Sequence, residues 1–104
     1  PLTIIYPKAK NLAPNLVAAD GSIGIRVVKH NYCQELLRAF RKPIVSTSAN
    51  ISGKSFPKNF GEIDHAIIDG VDFIVPSIYE ESTNPIPSGI IQLGLGGQIK
   101  VIRE

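Results

Sequence analysis

The chain has 104 residues, 43% of them apolar and 19% charged, the proportions of one ordinary folded domain and not of a disordered segment. No apolar run approaches the ~20 residues that span a bilayer, and a single cysteine, Cys33, excludes an intrachain disulfide or a cysteine-rich zinc site and fits a reducing compartment. A net charge of +2 hides a division: Pro1 to Lys58 holds nine basic residues against Asp20 and Glu35, whereas Asn59 to Glu104 holds two against seven acids. The first stretch invites an anionic partner such as a nucleotide or an RNA backbone, although clustered charge on a solvated surface gives the same letters. Aromatic residues make up only 7% and do not interleave with the basic ones, against a base-stacking platform.

A length of 104 residues predicts one domain burying roughly 60–65% of its unfolded surface around one core. Leu2 to Tyr6, rich in β-branched residues and stopped by Pro7, predicts a strand. Asn11 to Val17 predicts a short helical turn limited by Pro14, and Asp20-Gly21 a turn into a second strand, Ile23 to Val28. Asn31 and Gln34 have the spacing of a capping box, and Tyr32, Cys33, Leu36, Leu37 and Phe40 form one apolar stripe of a helix that ends before Pro43. Ile44 to Thr47 predicts a short buried strand and Ser48 to Phe60 a polar loop. Glu62 to Ile68 predicts a short helix, Phe73 to Val75 a strand, and Pro76 to Pro87 a long connection. Gly89 to Leu93 and Gln98 to Arg103, joined by Gly94-Leu95-Gly96-Gly97, predict a hairpin. The class is α/β or α+β, dominated by sheet.

The densest polar constellation lies in Ser46-Thr47-Ser48-Ala49-Asn50-Ile51-Ser52-Gly53, with four hydroxyls and a carboxamide in seven residues. Ligands of open α/β sheets commonly sit off the carboxyl ends of strands, and small donors there suit phosphate or carboxylate oxygens. A turn satisfying its own backbone has the same composition. Arg26, inside an otherwise apolar strand, needs an anion if it faces a cleft and nothing if it faces solvent. Asp20-Gly21-Ser22 offers a nearby hydroxyl or a plain turn. Asn84-Pro85-Ile86-Pro87-Ser88-Gly89 holds Ser88 in stiff backbone, as a positioned group or a simple loop end. His30 and His65 lack metal-ligand spacing, Cys33 lies on the apolar stripe, and Gly94 to Gly97 lacks the lysine of a Walker loop. No catalytic triad is defensible, and no catalytic side chain is assigned.

The run Lys42-Pro43-Ile44-Val45-Ser46-Thr47-Ser48-Ala49-Asn50-Ile51-Ser52-Gly53-Lys54 closely resembles the signature of YrdC-like domains, the threonylcarbamoyl-AMP synthases. Pro1-Leu2-Thr3 is similar to the end of the family's Pro-Gly-Pro-x-Thr segment, Ile25 to His30 to its Arg-x-Pro-x-His, and Pro87 to Ile91 to its Pro-Ser-Thr-Ile-Val. The resemblance implies a YrdC-like fold with a twisted mixed sheet and few helices. It also implies a cytoplasmic nucleotidyltransferase that uses ATP, L-threonine and bicarbonate with Mg2+ and releases pyrophosphate, in the pathway to threonylcarbamoyladenosine in tRNA. Position by position it implies Arg26 and Ser46 at threonine with Ser88 near it, Ser22 and Ser48 at ATP, Asn50 shaping the loop, and Arg103 approaching the nucleotide.

The chain departs from the pattern at Val28 in place of proline, Gly89 in place of a hydroxyl residue, and Phe56 in place of a small hydroxyl residue. It also lacks the family's basic first half, so the resemblance implies a C-terminal portion, truncated on its N-terminal side and with little activity alone. The absence of Met and the start at Pro1 fit that expectation. The alternative is a non-catalytic RNA-binding module of the same fold, with tRNA or tRNA-modification proteins as partners in either case.

Overall fold

The computed structural model describes residues 1–81 and 86–104. It contains four strands, β1 (Leu2–Tyr6), β2 (Ile23–Arg26), β3 (Gly89–Leu93) and β4 (Ile99–Arg103), and two α-helices, α1 (Asn31–Phe40) and α2 (His65–Gly70). Short 3-10 turns cover Pro14–Leu16, Phe60–Glu62 and Ser77–Tyr79. The expected α/β class with a mixed sheet and few helices is what the structure shows. By contacts the chain divides into two units, Pro1–His30 with Ile86–Glu104, and Asn31–Pro85.

The first unit is a four-stranded sheet of order β2-β1-β3-β4, antiparallel at both edges and parallel between β1 and β3. Each strand alternates, and paired residues share a face. One face therefore carries Leu2, Ile4 and Tyr6 of β1, Ile23 and Ile25 of β2, Ile91 and Leu93 of β3, and Ile99 and Val101 of β4. The other carries Thr3, Ile5, Gly24, Arg26, Ile90, Gln92, Lys100 and Arg103.

Simple alternation along β4 would put Arg103 with Ile99 and Val101 on the apolar side. The register instead slips by one residue: Ile91 pairs with Val101 but Ile90 with Arg103, leaving Ile102 without a partner. Such a bulge re-aims the side chains beyond it, and here it moves Arg103 to the polar face.

In the second unit, α1 presents its stripe with Tyr32, Cys33 and Leu37 half-buried, and the Tyr32 ring packs on Tyr79 at 4.6 Å between centroids. α2 starts at an N-cap, Asp64, whose carboxylate accepts from the Ala66 amide. Two expected strands are absent. Ile44 to Thr47 and Phe73 to Val75 are irregular and exposed, with Val45 66% and Phe73 75% open. Both runs have strand-like letters, but no described residue pairs with either, and a lone run has no ladder to join.

The expected buried core is also absent: among the described residues no hydrophobic side chain is fully buried, and Ile99 and Val101 on the apolar face are 67% and 58% exposed. A sheet four strands wide leaves its edge strands open on both faces unless another layer covers them. No helix among the described residues is long and apolar enough to cross a membrane.

Arg41, just beyond α1, has φ 61° while its amide donates to the Leu37 carbonyl at 2.8 Å. This left-handed helix end is the one glycine adopts without a Cβ penalty of about 1–2 kcal/mol. Arg41→Gly also loses a cation from the helix C-terminus, worth about 0.3–1 kcal/mol. The expected net is stabilisation by about 0.5 kcal/mol, read as a higher urea midpoint at unchanged slope.

Candidate functional site

The residues singled out in the sequence fall into both units. Ser22, Arg26, Ser88 and Arg103 belong to the sheet unit, and Ser46, Ser48 and Asn50 to the other. Asn84 and Pro85, from the stiff segment before Ser88, lie outside the described residues.

In the sheet unit the centre is Ser88, placed just before β3 by the parallel pairing of Leu2 with Gly89. Its hydroxyl shares a 2.7 Å hydrogen bond with the Thr3 hydroxyl, and its carbonyl accepts from both Nε and Nη2 of Arg103, at 2.9 and 2.7 Å. The same carbonyl thus fixes the guanidinium plane and leaves Nη1 for another acceptor. Thr3 pairs with Arg26 on one side and with Ile90 on the other, and Ile90 pairs with Arg103. One row across the sheet therefore reads Arg26, Thr3, Ile90, Arg103.

The structure also resolves the Gly89 departure. A Cβ at Gly89 would meet the Arg103 carbonyl at 3.4 Å and Leu2 Cδ1 at 3.8 Å, on the apolar side. A hydroxyl residue there would point away from the polar face. The hydroxyl partner of Ser88 is Thr3, from the other end of the sequence.

Ser22 is the one buried polar residue among those described, at 8% exposure. Gly21 turns the chain at φ +87°, so that Asp20 reaches back to accept from the Ser22 hydroxyl at 2.6 Å and the Ser22 amide at 3.0 Å. The Ser22 proton is thereby committed, and its oxygen offers a ligand acceptor capacity only. These bonds, the hydroxyl's first, hold the Asp20 carboxyl below the ordinary value of 3.8. Stabilisation from this turn is therefore in full force above the unfolded-state value and is lost as pH falls through the lower folded-state one. Ser22→Ala is expected to move the Asp20 titration back up toward the ordinary value, followed by carboxyl carbon NMR shifts.

In the second unit the serine-rich segment is an exposed loop, not the end of a buried strand, with Ser46 and Ser48 open to solvent. Asn50 organises the turn after it: its Nδ2 donates to the carbonyls of Ile51 and Lys54 at 3.1 and 3.0 Å, while the Lys54 amide closes on the Ile51 carbonyl at 2.9 Å around Gly53 at φ +85°. Asn50 Oδ1 is enclosed and has no donor. Lys54 Nζ lies 3.6 Å from Asp64, tying the loop to the cap of α2. The Asp64 carboxyl is held low, chiefly by the Ala66 amide and then by Lys54. Phe56, the departure in this loop, is 62% exposed. Asn50→Asp replaces both donors with a carboxylate facing two carbonyls, at about 1 kcal/mol per lost bond. It is expected to loosen residues 50–54, seen as faster amide exchange at Lys54.

Sequence reasoning missed the part played by four residues of the sheet unit. Thr3 was legible only as part of a motif, because its contact depends on pairing across the length of the chain. Gln92 and Lys100 join the polar face through the register of β3 and β4. Asp20, in addition, was visible as a turn residue but not as the acceptor that takes the Ser22 proton. Among the described residues no group of three His, Cys, Asp or Glu side chains gathers to hold a metal ion.

Comparison with known proteins matches the model of the Sua5/YciO/YrdC family, described as telomere recombination, over residues 1–104. A threonylcarbamoyl-AMP synthase of Blochmanniella pennsylvanica is 33% identical over 105 positions, covering 100% of this chain and 50% of the relative. Threonylcarbamoyl-AMP synthases of Idiomarina loihiensis and Photobacterium profundum are 31% and 33% identical over 85 residues, covering 82% of this chain and 46% of each relative. The chain thus spans about half the length of these curated relatives. No solved structure matches. With its whole length matched and the serine-rich signature in place, the chain belongs to the Sua5/YciO/YrdC family.

Proposed function

We propose that this chain contributes the nucleotide- and threonine-holding part of an enzyme that forms threonylcarbamoyl-AMP from L-threonine, bicarbonate and ATP, for threonylcarbamoyladenosine in tRNA. The observation that carries the reading is the row of Arg26, Thr3 and Arg103, with Ser88 beside it, on one face of the sheet. In this reaction the threonine amine takes up the carbon of bicarbonate with loss of water. A carbamate oxygen then attacks the α-phosphorus of ATP as the bond to the β-phosphate oxygen breaks, releasing pyrophosphate. The step needs aligned reactants and compensated phosphate charge more than a protein nucleophile.

By the family resemblance, Arg26 and Ser46 are assigned to threonine with Ser88 near it, and Ser22 and Ser48 to ATP; Arg103 is assigned to the nucleotide, with the nitrogen that Ser88 leaves free. Asn50 keeps the serine-rich loop in shape. Mg2+ balances phosphate charge when bound; the described residues form no acidic cage for it, so no step is assigned to it. A cytoplasmic setting and partners among tRNA-modification proteins belong to the same proposal.

Since the chain spans about half of its relatives, the 104 residues by themselves are expected to release little pyrophosphate from ATP, threonine and bicarbonate. Threonine-dependent release is expected when the first half of the Blochmanniella relative is supplied as a separate polypeptide. No release above background in that mixture, together with tRNA binding that weakens steeply with salt and ignores ATP, favours the RNA-binding module instead.

A further inference from the structure

The charge that the sequence divides by position is divided differently by the fold. The sheet unit holds Lys8, Lys10, Arg26, Lys29, Lys100 and Arg103 against Asp20 and Glu104, a balance of +4. The other unit holds five basic residues against seven acids. Three of the six cations, Arg26, Lys100 and Arg103, stand on the polar face of the sheet, whose strands place no acid there. Asp20 is already engaged by Ser22.

Behind the row of Arg26, Thr3, Ile90 and Arg103 runs a second row: Gly24, Ile5, Gln92, Lys100. The rows are two residues apart, about 7 Å, and neighbouring strands are about 4.8 Å apart. Because of the bulge, Lys100 and Arg103 are separated by only two residues of β3, between Gln92 and Ile90. Lys100 is exposed and has no ion pair among the described residues. The second row also has a low floor: a Cβ at Gly24 would lie 3.5 Å from Thr3 Cγ2 and 4.0 Å from Ile5 Cγ1, space that the glycine leaves open.

The geometry points to a second anion subsite on this face, made by the Lys100 ammonium with the Gln92 carboxamide. It takes a terminal phosphate of the nucleotide, or the pyrophosphate released from it, while Arg103 takes a phosphate nearer the nucleoside. The inference rests on the proposed function for the ligand's identity, but on the sheet register alone for its anionic character. A flexible ammonium suits a phosphate that must leave as product, whereas the anchored Arg103 fork suits one that stays.

The test is titration of the 104-residue chain with ATP, AMP and pyrophosphate by calorimetry and by amide NMR shifts. Wild type is compared with Lys100→Ala, Lys100→Arg, Lys100→Glu and, as a control outside the sheet, Lys8→Ala, with NMR dispersion confirming the fold of each. Lys100→Ala is expected to weaken ATP and pyrophosphate about 5–10-fold at low salt, as for the loss of an exposed charged contact. AMP should be unchanged, Lys100→Arg should restore most of the loss, and Lys100→Glu should be worse. Gln92 and Lys100 amides should shift with pyrophosphate. Equal binding by Lys100→Ala, or an equal loss in Lys8→Ala, overturns the subsite, as does failure of wild type to bind either polyanion. Binding of pyrophosphate through Lys100 without any binding of ATP keeps the subsite and rejects the adenylate-forming reading.

Discussion

The parallel pairing of β1 with β3 joins Leu2–Ile5 to Gly89–Gln92, and the polar face exists only because of it. Closing so long a loop costs about 4 kcal/mol in chain entropy by length alone, and the offset comes from the ladder and from apolar contacts along Ile4 and Ile91. Once made, the pairing brings Thr3 to Ser88, the Gly89 amide to the Pro1 carbonyl at 3.0 Å, and the edge strands into a common register. Arg26 then stands on one side of Thr3 and Arg103 on the other side of Ile90. Chemistry that looks scattered from one end of the sequence to the other becomes one row.

That row is electrostatically one-sided. A cationic surface without local acids keeps its field for an incoming anion, because no carboxylate within the face neutralises it. Ser22 and Asp20 show the opposite strategy a short distance away in sequence: there the charge is consumed internally by two short hydrogen bonds and stiffens a turn. In the other unit several acids are likewise engaged. Asp64 caps α2 and meets Lys54, Glu62 accepts from the Lys58 amide, and Glu80 from the Phe60 amide. The loop carrying Ser46 and Ser48 thus leads into a segment, residues 50–64, fastened mainly through side chain to backbone contacts.

The sequence conveyed the local elements well where the signal was local. Leu2–Tyr6, the strand beginning at Ile23, the helix of Asn31–Phe40 and the hairpin around Gly94–Gly97 each declare themselves within a short window. Ile44 to Thr47 and Phe73 to Val75 have the same apolar, β-branched letters, but strand identity requires a neighbour, and a neighbour is not encoded in the run itself. The buried core expected from length failed for a related reason: apolar composition specifies a face that resists water, not the layer that covers it. At the site, Arg26, Ser88 and Arg103 were legible through a family signature. Thr3 as partner of Ser88 was not, since nothing in Thr3 or its neighbours announces a residue 85 positions away.

Ile102 contributes no pairing to the sheet, yet it sets the parity of everything after it. The bulge lets β4 carry one residue more than β3 needs while Arg103 keeps its place opposite Ile90. Were the ladder straightened with Ile102 opposite Ile90, Arg103 would become a charge on the apolar surface and the Ser88 carbonyl would lose its fork. The last cation of the strand thus owes its orientation to an irregularity of backbone pairing, which two-residue alternation along the sequence does not reveal.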